Sequence, residues 1–123
     1  MTTVANLMGS GISGLAANAI ATGFLSNSLT ATGSTKADAY AITKDFSRFT
    51  TAGSGTGAIL PTKCTVGDQY VVANMGASTM ALYPPSGGTI NSGSTDAALS
   101  IGAKKTALVI CVDALTFVAI LSA

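Results

Sequence analysis

The sequence predicts an all-β domain, a small antiparallel β-sandwich or barrel, preceded by an extended or partly helical N-terminal arm. Three observations predict it. Short runs bearing Val, Ile, Tyr and Phe recur between turns rich in Gly, Asp and Ser. Pro61, Pro84 and Pro85 fall where those runs end, as expected of a residue with no N–H to give to a ladder. Residues 1–35 carry no charge at all, and their apolar residues follow a different spacing from the rest. A chain of 123 residues is long enough for one core, divided here into an arm, residues 1–27, and a β-domain, residues 28–123.

In the arm, Met8, Ile12, Leu15 and Ile20 follow a helix-like spacing. Gly9, Gly11 and Gly14 interrupt it at up to about 1 kcal/mol each, so a long free-standing helix is not expected. Leu7, Met8, Ile12, Leu15, Ile20 and Phe24 are nevertheless apolar enough to favour burial, and docking on a partner subunit or on a larger shell is the expectation for them. In the β-domain, residues 38–43 alternate with Tyr40 and Ile42 on one face. Residues 69–74 form a Val/Tyr run, and residues 80–83 follow after the turn at 75–78, a hairpin spacing. Further strands are expected at 97–101, 105–112 and 115–121, the last two joined tightly at Asp113 and Ala114. Gly33-Ser34-Thr35 and Gly93-Ser94-Thr95 are read as two similar turns rather than an internal repeat.

Composition narrows the chemistry. Charged residues make up 9% of the chain, against about 25% in ordinary soluble domains, and Lys104-Lys105 is the longest run of them. Nucleic-acid binding draws on clustered cations, so a DNA or RNA partner is not expected. Histidine is absent, which removes the commonest general base near neutral pH and the commonest metal ligand. Cys64 and Cys111 stand in no chelating pattern and read as small buried hydrophobes, with a bridge between them left open by spacing alone. No cation precedes Lys36, so the opening does not read as a secretory leader. The apolar stretch 107–121 contains Asp113 and is shorter than the ~20 residues of a membrane helix; it reads as core, and no membrane partner is expected.

Gly9, Gly11 and Gly14 stand in G-x-G-x-x-G spacing, yet no acidic residue follows before Asp38 and no βαβ pattern surrounds them, so they do not read as a dinucleotide turn. The glycines at 53–57 and 87–88 lack the Lys-Ser/Thr ending of a phosphate loop. Asp38, Asp45, Asp68, Asp96 and Asp113 are scattered, mostly beside turns. No enzyme activity, catalytic residue, metal or cofactor is expected from these patterns.

Gly67-Asp-Gln-Tyr-Val-Val-Ala-Asn-Met-Gly76, then Ala81-Leu-Tyr-Pro-Pro-Ser-Gly-Gly-Thr-Ile-Asn91 and Leu108-Val-Ile-Cys-Val112 form a recognisable series. Together with Ala31-Thr-Gly-Ser-Thr and Ile59-Leu-Pro61, it resembles the small β-domain of tailed-bacteriophage virion proteins, used as capsid decoration (cement) proteins and as head or tail fibre modules. The resemblance covers residues 30–121 and leaves out the arm; Phe117 stands where the family leads one to expect Trp. It implies a non-enzymatic structural protein of the bacteriophage virion, commonly a homotrimer, placed on the outer surface of the capsid for capsid stabilisation, with the major capsid protein and itself as partners. The residues agree, because a mean hydropathy of +0.54 leaves more apolar material than a small monomer hides comfortably. An alternative within the same family is a fibre module binding host surface glycan through an exposed loop at Tyr83, Pro84 and Pro85.

Overall fold

The computed structural model describes residues 25–123; the contact residues expected in the arm, Leu7, Met8, Ile12, Leu15, Ile20 and Phe24, lie outside them. Ten strands follow: β1 (Leu25–Thr30), β2 (Tyr40–Ala41), β3 (Phe46–Thr51), β4 (Gly57–Ile59), β5 (Gln69–Asn74), β6 (Met80–Tyr83), β7 (Thr89–Ile90), β8 (Leu99–Ile101), β9 (Lys105–Asp113) and β10 (Thr116–Leu121). They form a six-stranded sheet A, in the order β1-β3-β5-β9-β10-β7, and a four-stranded sheet B, in the order β2-β4-β6-β8.

The all-β expectation meets this architecture, but the expected sandwich or barrel does not. The chain is a β-solenoid of about 4 turns with mostly parallel sheets. From β1 to β9 consecutive strands alternate between the sheets, so β1, β3 and β5 stack in parallel on one side and β2, β4 and β6 on the other. Antiparallel pairing enters at the carboxyl-terminal end, where β8 joins β6, β9 joins β5, and β9 and β10 form the expected tight hairpin. The physical reason lies in the corners. Residues 75–79 do not fold β6 back beside β5; they carry the chain across to the other sheet.

The Asn74 side chain holds that corner. Its Nδ2 donates to the carbonyls of Ser78 at 2.9 Å, Ile101 at 2.9 Å and Gly102 at 3.2 Å, and its Oδ1 accepts the Gly76 N–H at 3.0 Å. Gly76 lies so close to the preceding coil that a Cβ there would sit 2.6 Å from the Ala52 nitrogen. Coil stacking therefore requires glycine at this corner. A coil also explains why no repeat is visible in the sequence. The steps from Leu25 to Phe46 to Val71 in sheet A, and from Tyr40 to Ala58 to Leu82 in sheet B, are of unequal length, because the loops between strands differ.

The core lies between the sheets. Phe49, Val72, Val109 and Phe117 from sheet A meet Met80, Leu82 and Ile101 from sheet B, all with no measurable exposure. Tyr40 sets its ring edge-on to Phe49, centroids 5.4 Å apart and planes at 88°, an arrangement aromatic pairs prefer. Pro61 and Pro84 follow β4 and β6 closely, as expected of strand-ending prolines.

Candidate functional site

The two faces of sheet A are built by alternation along its strands. In β9, Ala107, Val109 and Cys111 turn inward and are buried, leaving Leu108 and Ile110 on the outside; in β10, Phe117 and Ala119 turn inward, leaving Val118 and Ile120 outside. The register then aligns the outward residues. Leu25 pairs with Phe46, Phe46 with Val71, Val71 with Leu108, and Leu108 with Ile120. An apolar row thus crosses five strands on the outer face, exposed at its ends, with Leu25 at 47% and Ile120 at 61%. Ile110 and Val118, paired with each other, widen it. Among these outward strand residues Arg48 carries the one charge, and its guanidinium donates to the Asn27 Oδ1 at 3.0 Å.

The continuous apolar runs of β9 and β10 carried the signal for this face. A strand with one wet face alternates, whereas one covered on both sides reads apolar throughout. Assigning residues 107–121 simply to the core missed that half of them point away from it.

The edge beyond β10 is closed by side-chain chemistry. β7 pairs with Thr116 and Phe117. The Asn91 amide then stands in for a further strand residue, donating to the Ala119 carbonyl at 3.0 Å while its Oδ1 accepts the Ala119 N–H at 2.8 Å. This blunts an edge that would otherwise invite strand addition.

The residues that could carry chemistry are tied to structure. Asp38 Oδ1 accepts from the N–H groups of Thr35 at 2.9 Å and Ser34 at 3.1 Å and from the Thr35 hydroxyl at 3.0 Å; Gly33, at φ +77°, makes room for that carboxylate. Asp96 Oδ1 accepts the Gly87 N–H and pairs with Lys36, which places the two Gly-Ser-Thr turns within side-chain reach of each other. Cys64 and Cys111 are free thiols. Tyr70 donates to the Cys64 Sγ at 3.5 Å, and Cys111 donates to the Asp113 carbonyl at 3.2 Å. Burial pushes both the Tyr70 hydroxyl and the Cys111 thiol up, which disfavours the thiolate a nucleophile needs. A cleft of about 550 Å3 is lined by Ser54, Thr56, Ser78, Thr79, Met80 and Ser100 among others, with no ionisable side chain. No group of three or more His, Cys, Asp or Glu able to hold a metal occurs among the described residues.

Tyr83, Pro84 and Pro85, expected as an exposed loop, are placed otherwise. Tyr83 is half-buried in β6 and the two prolines are fully buried. The exposed part of that region is residues 91–98.

These groups set the response to pH. Hydrogen bonds from Thr35 hold Asp38 below the usual carboxylate range, and the Lys36 ammonium does the same for Asp96. Both bind a proton more weakly folded than unfolded, so their stabilisation is complete above the ordinary carboxylate values and is lost as pH falls below about 4. Tyr70 and Cys111, raised on folding, contribute stability at neutral pH that is lost as pH rises above about 9. With no histidine, chemical denaturation should give a plateau from about pH 5 to 8 that falls on both sides; a step near pH 6.5 would contradict this assignment.

Comparison with protein-family models, curated proteins and solved structures gives no match.

Proposed function

We propose that this chain is a capsid decoration (cement) protein of a tailed bacteriophage, a homotrimer that sits on the outer surface of an icosahedral capsid and clamps adjacent major capsid subunits against the pressure of packaged DNA. The outer face of sheet A carries the homotrimer part of this reading. It is an apolar surface with one charge, Arg48, the kind of surface that obligate assemblies cover. The resemblance of residues 30–121 to phage virion β-domains supports the same reading. The mechanism is binding energy alone: a trimer presents each weak contact with the capsid three times, and linked contacts multiply affinity without any new chemistry. The fibre alternative draws less support, because a glycan platform needs an exposed aromatic ring, whereas Tyr83 is half-buried and the two prolines that follow it are fully buried.

Co-sedimentation with capsids stripped of their decoration tests the proposal. Surface ion pairs are screened by salt and apolar contacts are not, so the bound fraction should change less than about twofold between roughly 0.1 and 1 M salt. Release of most copies by salt with the fold intact, or no binding at all, would overturn it.

A further inference from the structure

The outer face of sheet A is too small to hold two copies together by itself. Its apolar row spans β1 to β10, about 19 Å at ~4.8 Å per strand, and six-residue strands run about 20 Å, so the flat area is on the order of 400 Å2. A stable interface needs roughly 800 Å2 from each partner. Pairing this face with itself would also be isologous and would stop at two subunits, whereas a closed ring of three requires it to meet a different surface of the next copy.

The sequence supplies a segment of matching chemistry. Residues 1–24 carry no charge and hold Leu7, Met8, Ile12, Leu15, Ile20 and Phe24. They end at Leu25, the first member of the apolar row, which stands in the edge strand β1 at the margin of the sheet. From that margin 24 residues reach about 36 Å as a helix and about 80 Å extended, well beyond the ~19 Å width of the sheet itself, so the segment can pass the edge of its own subunit and reach the next. The one charge on the face, Arg48, remains a cation but has a guanidinium N–H taken up by the Asn27 Oδ1, which leaves fewer donors for a covering segment to meet. In a closed ring each copy both lends a segment and receives one, so it takes part in two such contacts rather than one.

We propose that the outer face of sheet A is covered by residues 1–24 of a neighbouring copy of this chain, each subunit lending its amino-terminal segment to the next around a ring of three. This rests on the homotrimer reading above. The apolar residues of the segment and those of the sheet then solve one problem together, since each is what hides the other from water.

The test uses the full chain, with amide hydrogen exchange and native mass measured on the same samples. Wild type should be a trimer in which residues 1–24 are protected. Ile120→Lys, at a side chain already 61% exposed, and Val118→Lys, at 42%, should leave residues 25–123 protected while the trimer falls to monomers and residues 1–24 exchange at free-peptide rates. Val66→Lys, equally apolar and 63% exposed but off this face, should change neither. A trimer whose residues 1–24 exchange freely, or one that survives both lysine substitutions on the face, would overturn the inference and leave the trimer standing. Protection of residues 1–24 in a monomer would overturn both the exchange between copies and the trimer on which it rests.

Discussion

Asn74→Ala is expected to lower the free energy of unfolding by about 3 to 5 kcal/mol, read from denaturant midpoints at unchanged slope. Asn74 has no exposure, and its amide ties the corner between β5 and β6 to the turn between β8 and β9. Alanine leaves the Gly76 N–H unpaired in the interior, at roughly 1–3 kcal/mol, and removes the bonds to the Ser78, Ile101 and Gly102 carbonyls, at about 0.5–1.5 kcal/mol each. Asn74→Asp separates this from a simple loss of shape. It keeps the outline of the side chain but turns a carboxylate toward carbonyl oxygens, so its destabilisation should shrink as pH falls and the acid becomes a donor. An Asn74→Ala loss below about 1 kcal/mol would show that the corner is held by something else.

Phe49→Ala should cost a comparable amount, about 3 to 5 kcal/mol. Phe49 has no exposure, packs its ring against the edge of Tyr40, and stacks in register between Leu29 below and Asn74 above. Removing the ring opens a cavity that three coils line and that none of them can close without losing its own register. Because Phe49 and Asn74 are neighbours in one stack, the double substitution should differ from the sum of the singles by about 0.5 kcal/mol or more. Additivity within error would mean that the two side chains are not energetically coupled.

The strands with the strongest apolar runs were legible in the sequence. Residues 69–74, 80–83 and the hairpin of 105–113 with 116–121 stand where their Val, Ile and Tyr content places them. β1, β3 and β4 were not legible, because LSNSLT, FSRFTT and GAI carry too few branched or aromatic residues to stand out from Ser/Thr-rich loops. Their pairing comes from stacking on the next coil, a tertiary effect that overrides local preference. The solenoid itself was hidden for a related reason. A turn of glycine and small residues looks the same whether it returns a strand to its own sheet or passes it to the opposite one, and the contact that decides, Gly76 against Ala52, joins residues far apart in sequence. Equal coil lengths would have betrayed the repeat, and these coils are unequal.

The candidate site was legible in part. That the chain has apolar material to hide follows from composition; where it lies depends on register, because Leu25, Phe46, Val71, Leu108 and Ile120 become neighbours only through four strand pairings. The buried position of Pro84 and Pro85 was masked by the ordinary association of proline with exposed turns.

A native mass spectrum of the intact chain, sprayed from micromolar protein, tests the claim of an obligate, ligand-free assembly most directly. The account predicts a dominant species of three 12.1 kDa chains with no added mass. A monomer as the dominant species, or a complex that retains a ligand of nucleotide size, would contradict it.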